Sequence, residues 1–249
     1  MSDWDVLAKL DPLWTVLSDP KKKFHGWNPE EFFSTGDLEA QRVLTICESH
    51  GLTITFDTLL DFGCGVGRMT RAFSRFFGSC TGIDVSETMV NLARNYSAER
   101  PNCRFVASQS AVLPFPDASF DMVFSVLVLQ HLPTKHMILN FIGEFIRVVR
   151  ASGIVVFQVP IEVPWRRRIQ LRRRLWASFA ALGVPESWLF KVGLAPIQIN
   201  GVSPGEMARF LGQRGAVVKA IERYDLAEGS FHSNYYVVTK NDSLTTSST

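Results

Sequence analysis

Asp61-Phe62-Gly63-Cys64-Gly65-Val66-Gly67-Arg68 is the stretch on which the reading of this chain turns. An apolar run, Thr58–Phe62, leads into it, and a helix-spaced run, Arg68–Phe77, leads out, so the pattern predicts strand, glycine turn, helix. Glycine lets the backbone turn this tightly and lets a ligand come close to the main chain. Free N–H groups at the start of the helix favour an anionic or polar group. A second strand, Ser79–Asp84, ends within Gly82-Ile83-Asp84-Val85-Ser86. An acid about 20 residues beyond the glycines is placed to accept hydrogen bonds from ribose hydroxyls. A dinucleotide turn would carry its third glycine at position 68, where this chain has Arg68, with the glycine at 67 instead. The spacing therefore argues against NAD or FAD. An arginine at the helix start suits the carboxylate of an amino-acid ligand.

Outward from this turn, strands and helices alternate. Ser86 reads as the N-cap of a helix to about Arg100, Cys103–Ala107 as a third strand, and Phe120–Leu127 as a fourth, apolar enough to be buried on both faces. Thr134 caps a helix to Arg150, and Gly153 precedes a fifth strand, Ile154–Val159. Strands alternating with helices and continuous apolar runs argue for the α/β class, a doubly wound parallel sheet with helices on both faces. Residues 1–50 read as an N-terminal helical cap, with a helix over 37–50 and Gly51 behind it as C-terminal cap. Residues 51–240 form the main domain, interrupted by a helical insertion at about 160–200. Ser203-Pro204-Gly205-Glu206 has the residues of a capping box, and Val217–Glu222 and Tyr235–Thr239 are late strands. The tail, 241–249, has no core-forming residues and reads as disordered.

Composition narrows the function classes. With 249 residues, 46% hydrophobic and 20% charged, the chain can build a core, and its net charge of +2 creates no global field for nucleic acid. Cys47, Cys64, Cys80 and Cys103 have no paired spacing and no Cys/His set suits zinc, so reduced thiols, no metal and a cytoplasmic protein are expected. The N-terminus lacks the pattern of a secretory signal, and no apolar run reaches the ~18 residues of a membrane span.

Four stretches resemble one family in its own order. LLDFGCGVGRMT (59–70) and TGIDVSETMV (81–90) are similar to the first two motifs of class I S-adenosylmethionine (SAM)-dependent methyltransferases. LPFPDASFDMVFSVLVLQHLP (113–133) resembles their fourth-strand region, and FIRVVRASGIVVFQVP (145–160) the helix-to-strand passage after it. The resemblance is strongest to the group within the class that acts on small molecules, and it implies a Rossmann-like, seven-stranded sheet, mostly parallel with a C-terminal antiparallel strand, which the two late strands would complete. The resemblance implies SAM as cofactor, S-adenosylhomocysteine (SAH) as product, and contacts from Asp61, Gly63, Cys64, Gly65, Gly67, Arg68, Asp84, Val85, Met89 and Val126. The family's acidic segment after the third strand is here Ser108-Gln109-Ser110-Ala111. Gln109 offers an amide oxygen for the adenine amino group in place of the acid, beside Ser110 and Ala111. Asp61 either orients the turn or meets the cofactor.

The chemistry asks chiefly for positioning, worth potentially ~7–11 kcal/mol in well-oriented systems, with a base for acceptors such as hydroxyls. His131, in Gln130-His131-Leu132-Pro133 beyond the fourth strand, is the candidate base; otherwise it caps the turn or packs on the cofactor. Methyl transfer to a small molecule, with O-methylation favoured over N or C, is the leading reading. RNA or protein methylation, or a non-catalytic SAM-binding regulator, are the alternatives. Neither the N/D-P-P-Y/W signature of amino-group methylation nor a Pro-Cys nucleophile occurs, which lowers a nucleic-acid partner. Trp27–Gly36 is either an aromatic lid over the cofactor or, at Phe32 and Phe33, core.

The insertion carries six arginines, at 166–168 and 172–174. Read as one helix, Trp165–Leu182 puts Trp165, Ile169, Leu171, Leu175, Trp176, Phe179 and Leu182 on one side, with Arg168 and Arg172 among them. That side is expected to face the protein and shape the acceptor site. Arg168 and Arg172 would then meet a carboxylate, phosphate or acidic phenol on an acceptor with an apolar body. A transient contact of 165–182 with an anionic membrane surface, RNA binding, or a solvated basic face are the other readings.

Overall fold

The computed structural model describes residues 3–161, 163, 169–225 and 232–240. The expected strands form one seven-stranded sheet: β1 Thr58–Phe62, β2 Ser79–Asp84, β3 Cys103–Ala107, β4 Phe120–Ser125, β5 Val149–Pro160, β6 Ala216–Asp225 and β7 His232–Lys240. Their order is β3-β2-β1-β4-β5-β7-β6. β1 to β5 pair in parallel, and β7 runs antiparallel to both β5 and β6. The strand order switches sides at β1, with β2 and β3 on one side of it and β4 and β5 on the other. Crevices at the carboxyl ends of strands on either side of such a switch are where open α/β sheets bind ligands.

Side chains alternate across the sheet with the two-residue period of a strand. Leu59, Met122, Phe124, Ile154 and Val156 face one way. They meet Val43, Leu44 and Cys47 of α3 (Pro29–Ser49) and Met69, Ala72 and Phe73 of α4 (Arg68–Phe73). Leu60, Val123, Val155, Phe157 and Val159 face the other way. They meet Ile138, Ile142 and Phe145 of α6 (Lys135–Val148) and Met207 and Leu211 of α9 (Pro204–Gln213). Every residue of β4 is buried, as its unbroken apolar run predicts. α5, Glu87–Tyr96, follows β2 and is capped by Ser86 Oγ, which accepts from Met89 N–H at 3.2 Å.

Several boundaries move. α3 begins at Pro29, not 37, because Asn28 Oδ1 accepts from the Glu30 and Glu31 N–H groups with proline at the first helical position. Phe32 of this first turn is fully buried, so it is core. Ser203 makes no side-chain cap bond to α9. The N-terminal cap contains α1 (Asp3–Leu10) and α2 (Pro12–Val16) ahead of α3.

The expected helix over 165–182 is shorter. Gln170 takes a left-handed conformation (φ 52°), and α7 runs from Leu171 to Ala181, followed by α8 at Glu186–Lys191. Arg166, Arg167, Arg168 and the tail 241–249 lie outside the described residues. The orientation of α7 reverses the expectation. Its one buried side chain is Trp176, which packs on Val6 and Leu7 of α1 and on Leu189 and Phe190 of α8, while Leu171, Leu175, Phe179 and Leu182 are exposed. Arg172 is exposed as well, so it is not an arginine held against an apolar interior.

Candidate functional site

The turn after β1 puts Gly63, Gly65 and Gly67 at φ of 75°, 52° and 85°. Side chains rarely adopt this region. At Gly63 a Cβ would also lie 2.3 Å from the Val128 side chain, so the turn lies against the segment that leaves β4. Gly63 N–H and Cys64 N–H donate to Ile83 O at 2.8 and 3.1 Å, which ties the turn to the end of β2.

Asp84 closes the other side. Its Oδ2 accepts from Gly65 N–H at 2.9 Å and its Oδ1 from Ser86 N–H at 2.9 Å. A carboxylate has about four lone-pair sites, so capacity is left for a further donor such as a ribose hydroxyl. Burial pushes the Asp84 pKa up, the N–H groups of Ser86, Gly65 and Val85 oppose it, and nearby Asp5 adds to the rise. Behind the turn, buried Asp61 accepts from Thr70 Oγ at 2.6 Å. Burial lifts its pKa to about 6 against that hydrogen bond and the Arg68 charge. Asp61 thus fastens β1 to α4.

Arg68 is buried beneath α3, where its NH1 donates to Thr35 Oγ at 3.3 Å and its Nε has no partner among the described residues. Close passage of α3 is possible because Gly36 has no side chain: a Cβ there would lie 2.7 Å from Arg68 O. The bare turn, the carboxylate and the buried arginine with an unused N–H fit a ligand with a ribose and an amino-acid carboxylate. Cys64, Met89 and Val126 are buried near them, and Val85 is half-buried. Gln109, Ser110 and Ala111 lie exposed on the loop after β3, held by Ser108 N–H to Asp84 O (2.9 Å) and Asn140 Nδ2 to Ala111 O (2.8 Å).

His131 ends a short 3-10 turn, Leu129–His131, beyond β4. Its Nδ1 is 2.8 Å from Gln198 O, so that nitrogen carries the proton. Nε2 then accepts from Gln130 Nε2 at 3.2 Å. Gln130 Oε1 accepts from Gln158 Nε2 at 3.2 Å, and Gln158 Oε1 from Leu127 N–H at 3.0 Å. Burial lowers the His131 pKa to about 4, against the bond to Gln198.

Sequence reading missed the glutamine relay and the element that covers the site, α1. Asp5 Oδ1 accepts from Ser86 Oγ at 2.6 Å and from Thr88 N–H at 3.4 Å, at the start of α5. Its neighbour Trp4 sets its ring edge-on to His131, centroids 5.1 Å apart. Beyond α1, Leu13 and Val16 reach Val66 and Met89, and Val16 Cγ2 is 2.5 Å from where a Cβ on Gly65 would be. Short acidic Asp5 and the solitary Trp4 carry no local motif, and their partners lie far along the chain. Of the two readings of Trp27–Gly36, the one as core holds at Phe32, and the segment is mostly the first two turns of α3.

Comparison with known proteins agrees with this geometry. A family described as "Methyltransferase domain" matches residues 60–157. A 2-methyl-6-phytyl-1,4-hydroquinone methyltransferase of Synechocystis is 37% identical over 100 residues, 40% of this chain and 30% of that one. A demethylmenaquinone methyltransferase of Staphylococcus aureus is 37% identical over 155 residues, 61% of this chain and 56% of that one. The chain thus spans about a third to just over half the length of these two curated relatives. Among solved structures, magnesium protoporphyrin IX methyltransferase of Synechocystis with bound SAH superposes with a TM-score of 0.58 at 15% identity, over 92% of this chain and 93% of that one. That likeness is one of fold.

Proposed function

We propose that this chain, whose residues 60–157 belong to the methyltransferase-domain family with the class I fold, moves a methyl group from SAM to a small apolar molecule, an oxygen being the favoured acceptor atom. The observation that carries the reading is the bond from Gly65 N–H to Asp84 Oδ2, which brings a glycine turn and a half-buried carboxylate together at the carboxyl ends of the adjacent strands β1 and β2, beside the sheet's switch point. The relatives' printed substrates, a hydroquinone and a demethylmenaquinone, support an apolar small-molecule acceptor.

SAM, when bound, supplies a methyl group on a positively charged sulfur. On this reading Gly63, Cys64, Gly65 and Gly67 present the main chain to it, Arg68 meets its carboxylate, Asp84 holds its ribose hydroxyls, and Val85, Met89 and Val126 supply apolar contact. Gln109, Ser110 and Ala111 border the adenine. His131, neutral and with Nε2 as its lone-pair nitrogen, takes a hydrogen bond or the proton from the acceptor hydroxyl once Gln130 yields that nitrogen. Trp4, edge-on to His131, forms part of the apolar wall. Arg172, being exposed, gives no support to an anionic acceptor.

The test has two stages. Calorimetric titration with SAH should show binding that Asp84→Ala removes. The protein, SAM and a panel of hydroquinones and phenols should then yield a product heavier by one methylene in mass spectrometry. Absence of SAH binding by the folded wild type would end the proposal.

A further inference from the structure

The outward face of α7 is apolar, which is the reverse of a surface helix on a water-soluble domain. At about 100° per residue, Leu171, Leu182, Leu175 and Phe179 fall within about 80° of one another, on a stripe whose centre lies about 100° round the helix from buried Trp176. Leu171 is 61% exposed and Leu182 79%. Arg172 borders the stripe on one side and Arg174 on the other, both exposed, and α7 contains no acid.

The stripe continues into neighbouring elements. α8 and its end add exposed Trp188, Lys191 and Val192. Phe24, exposed, stacks edge-on to Phe190 of α8 at 5.9 Å. Lys23 Nζ lies 4.3 Å over the Phe190 ring and donates to Phe190 O at 2.9 Å. The Arg172 charge also reaches Lys23. The loop that carries Lys21, Lys23 and Phe24 and the start of α7 are therefore neighbours. Over 169–192 the described charges are Arg172, Arg173, Arg174 and Lys191 against Glu186 alone.

We propose that the outward face of α7, with the exposed residues of α8 and Phe24, docks on an anionic lipid bilayer. Leucine, phenylalanine and tryptophan at the surface, bordered by arginine and lysine, are the composition of helices that lie in the headgroup region. Exposed apolar residues in such a group mark an interaction surface. Charge selects the occupant. A second copy seated symmetrically on this face would bring arginine rows against arginine rows, a like-charge contact that costs affinity. A surface of phosphate headgroups satisfies the same arginines.

The experiment is co-sedimentation of the full chain with two kinds of vesicle, phosphatidylcholine alone and phosphatidylcholine mixed with phosphatidylglycerol. The wild type should pellet with the mixed vesicles and much less with the neutral ones. Leu171→Asp with Leu182→Asp should weaken that association at least tenfold. Arg172→Gln and Arg174→Gln should each weaken it about fivefold, and more so as salt is lowered. All these positions are exposed, so circular dichroism and melting should stay at wild-type values. Three results would overturn the proposal. One is no association with anionic vesicles at low salt. Another is association unchanged in the double leucine variant. The third is a dimer in sedimentation velocity that Leu182→Asp dissolves, with no vesicle binding.

Discussion

The Nδ1 of His131 lies 2.8 Å from the main-chain oxygen of Gln198. A carbonyl can only accept, so this contact fixes the imidazole tautomer and leaves Nε2 as the nitrogen with a lone pair. Gln198 belongs to the stretch that leads from the insertion back to the sheet. Its own amide donates to His131 O at 3.0 Å, and Asn200 N–H donates to Gln130 O at 2.7 Å. The end of the insertion therefore holds the loop after β4 in place.

The first prediction concerns pH and rate. With its pKa near 4, His131 is neutral throughout the range from pH 5 to 8. It should put no limb into the profile of kcat/KM over that range. A limb near pH 6 to 7 that His131→Gln abolishes would contradict this.

The second prediction concerns pH and stability. Unfolded histidine binds its proton at about pH 6.5, the folded one near pH 4. Between those values the unfolded chain holds more protons, so the contribution of His131 is complete above about pH 6.5 and falls as pH drops toward 4. The full swing is at most about 3 kcal/mol. Asp61 works the other way, because its raised pKa of about 6 favours the folded state at low pH and loses that advantage as pH rises from 4 to 6. Thermal melting of wild type and His131→Gln at several pH values isolates the histidine: if the native trace tracks the variant at a constant offset, His131 is not held neutral.

The third prediction concerns the turn. Asp84→Asn should lower SAH affinity tenfold or more, measured by calorimetry, and shift melting only modestly, because the amide oxygen can keep one of the two main-chain bonds. Gly65→Val should lose both binding and stability. Its side chain would enter a left-handed conformation and meet Val16, a strain of about 1–3 kcal/mol. Normal SAH affinity in both variants would remove the turn from the site.

The fourth prediction concerns the glutamine relay. Gln130→Leu leaves the Gln158 amide and His131 Nε2 without their partners in a buried setting. Denaturant unfolding should show a loss of about 1–3 kcal/mol, and Gln158→Leu should cost a similar amount. If the double variant costs the sum of the two, the residues are not coupled and the relay is only apparent.

The glycine turn, the strand that ends at Asp84 and the other strands were legible because each is a local pattern: strand, turn and helix in one short stretch, or a run of residues such as Phe120–Ser125 that admits no exposed position. The start of α3 was missed, although Asn28-Pro29-Glu30-Glu31 carries a capping pattern, because the aromatic pair Phe32 and Phe33 drew the reading elsewhere. What the sequence could not reveal was direction. The periodicity of α7 displays an apolar side, but which side faces inward depends on Trp176 finding Val6 and Leu7, more than 160 residues earlier. Trp4 and Asp5 were invisible for the same reason. Each has meaning only through a partner brought near by the sheet.

Trp4 and Asp5 are joined by a single peptide bond within one helix. One side chain rests on His131 and the other holds the start of α5, beside the carboxylate assigned to the ribose. If α1 moves as a body, it quits both ends together. Entry of a fresh cofactor and departure of a methylated product would then share one gate, and the turnover number would report how fast an eight-residue helix swings rather than how fast a methyl group travels.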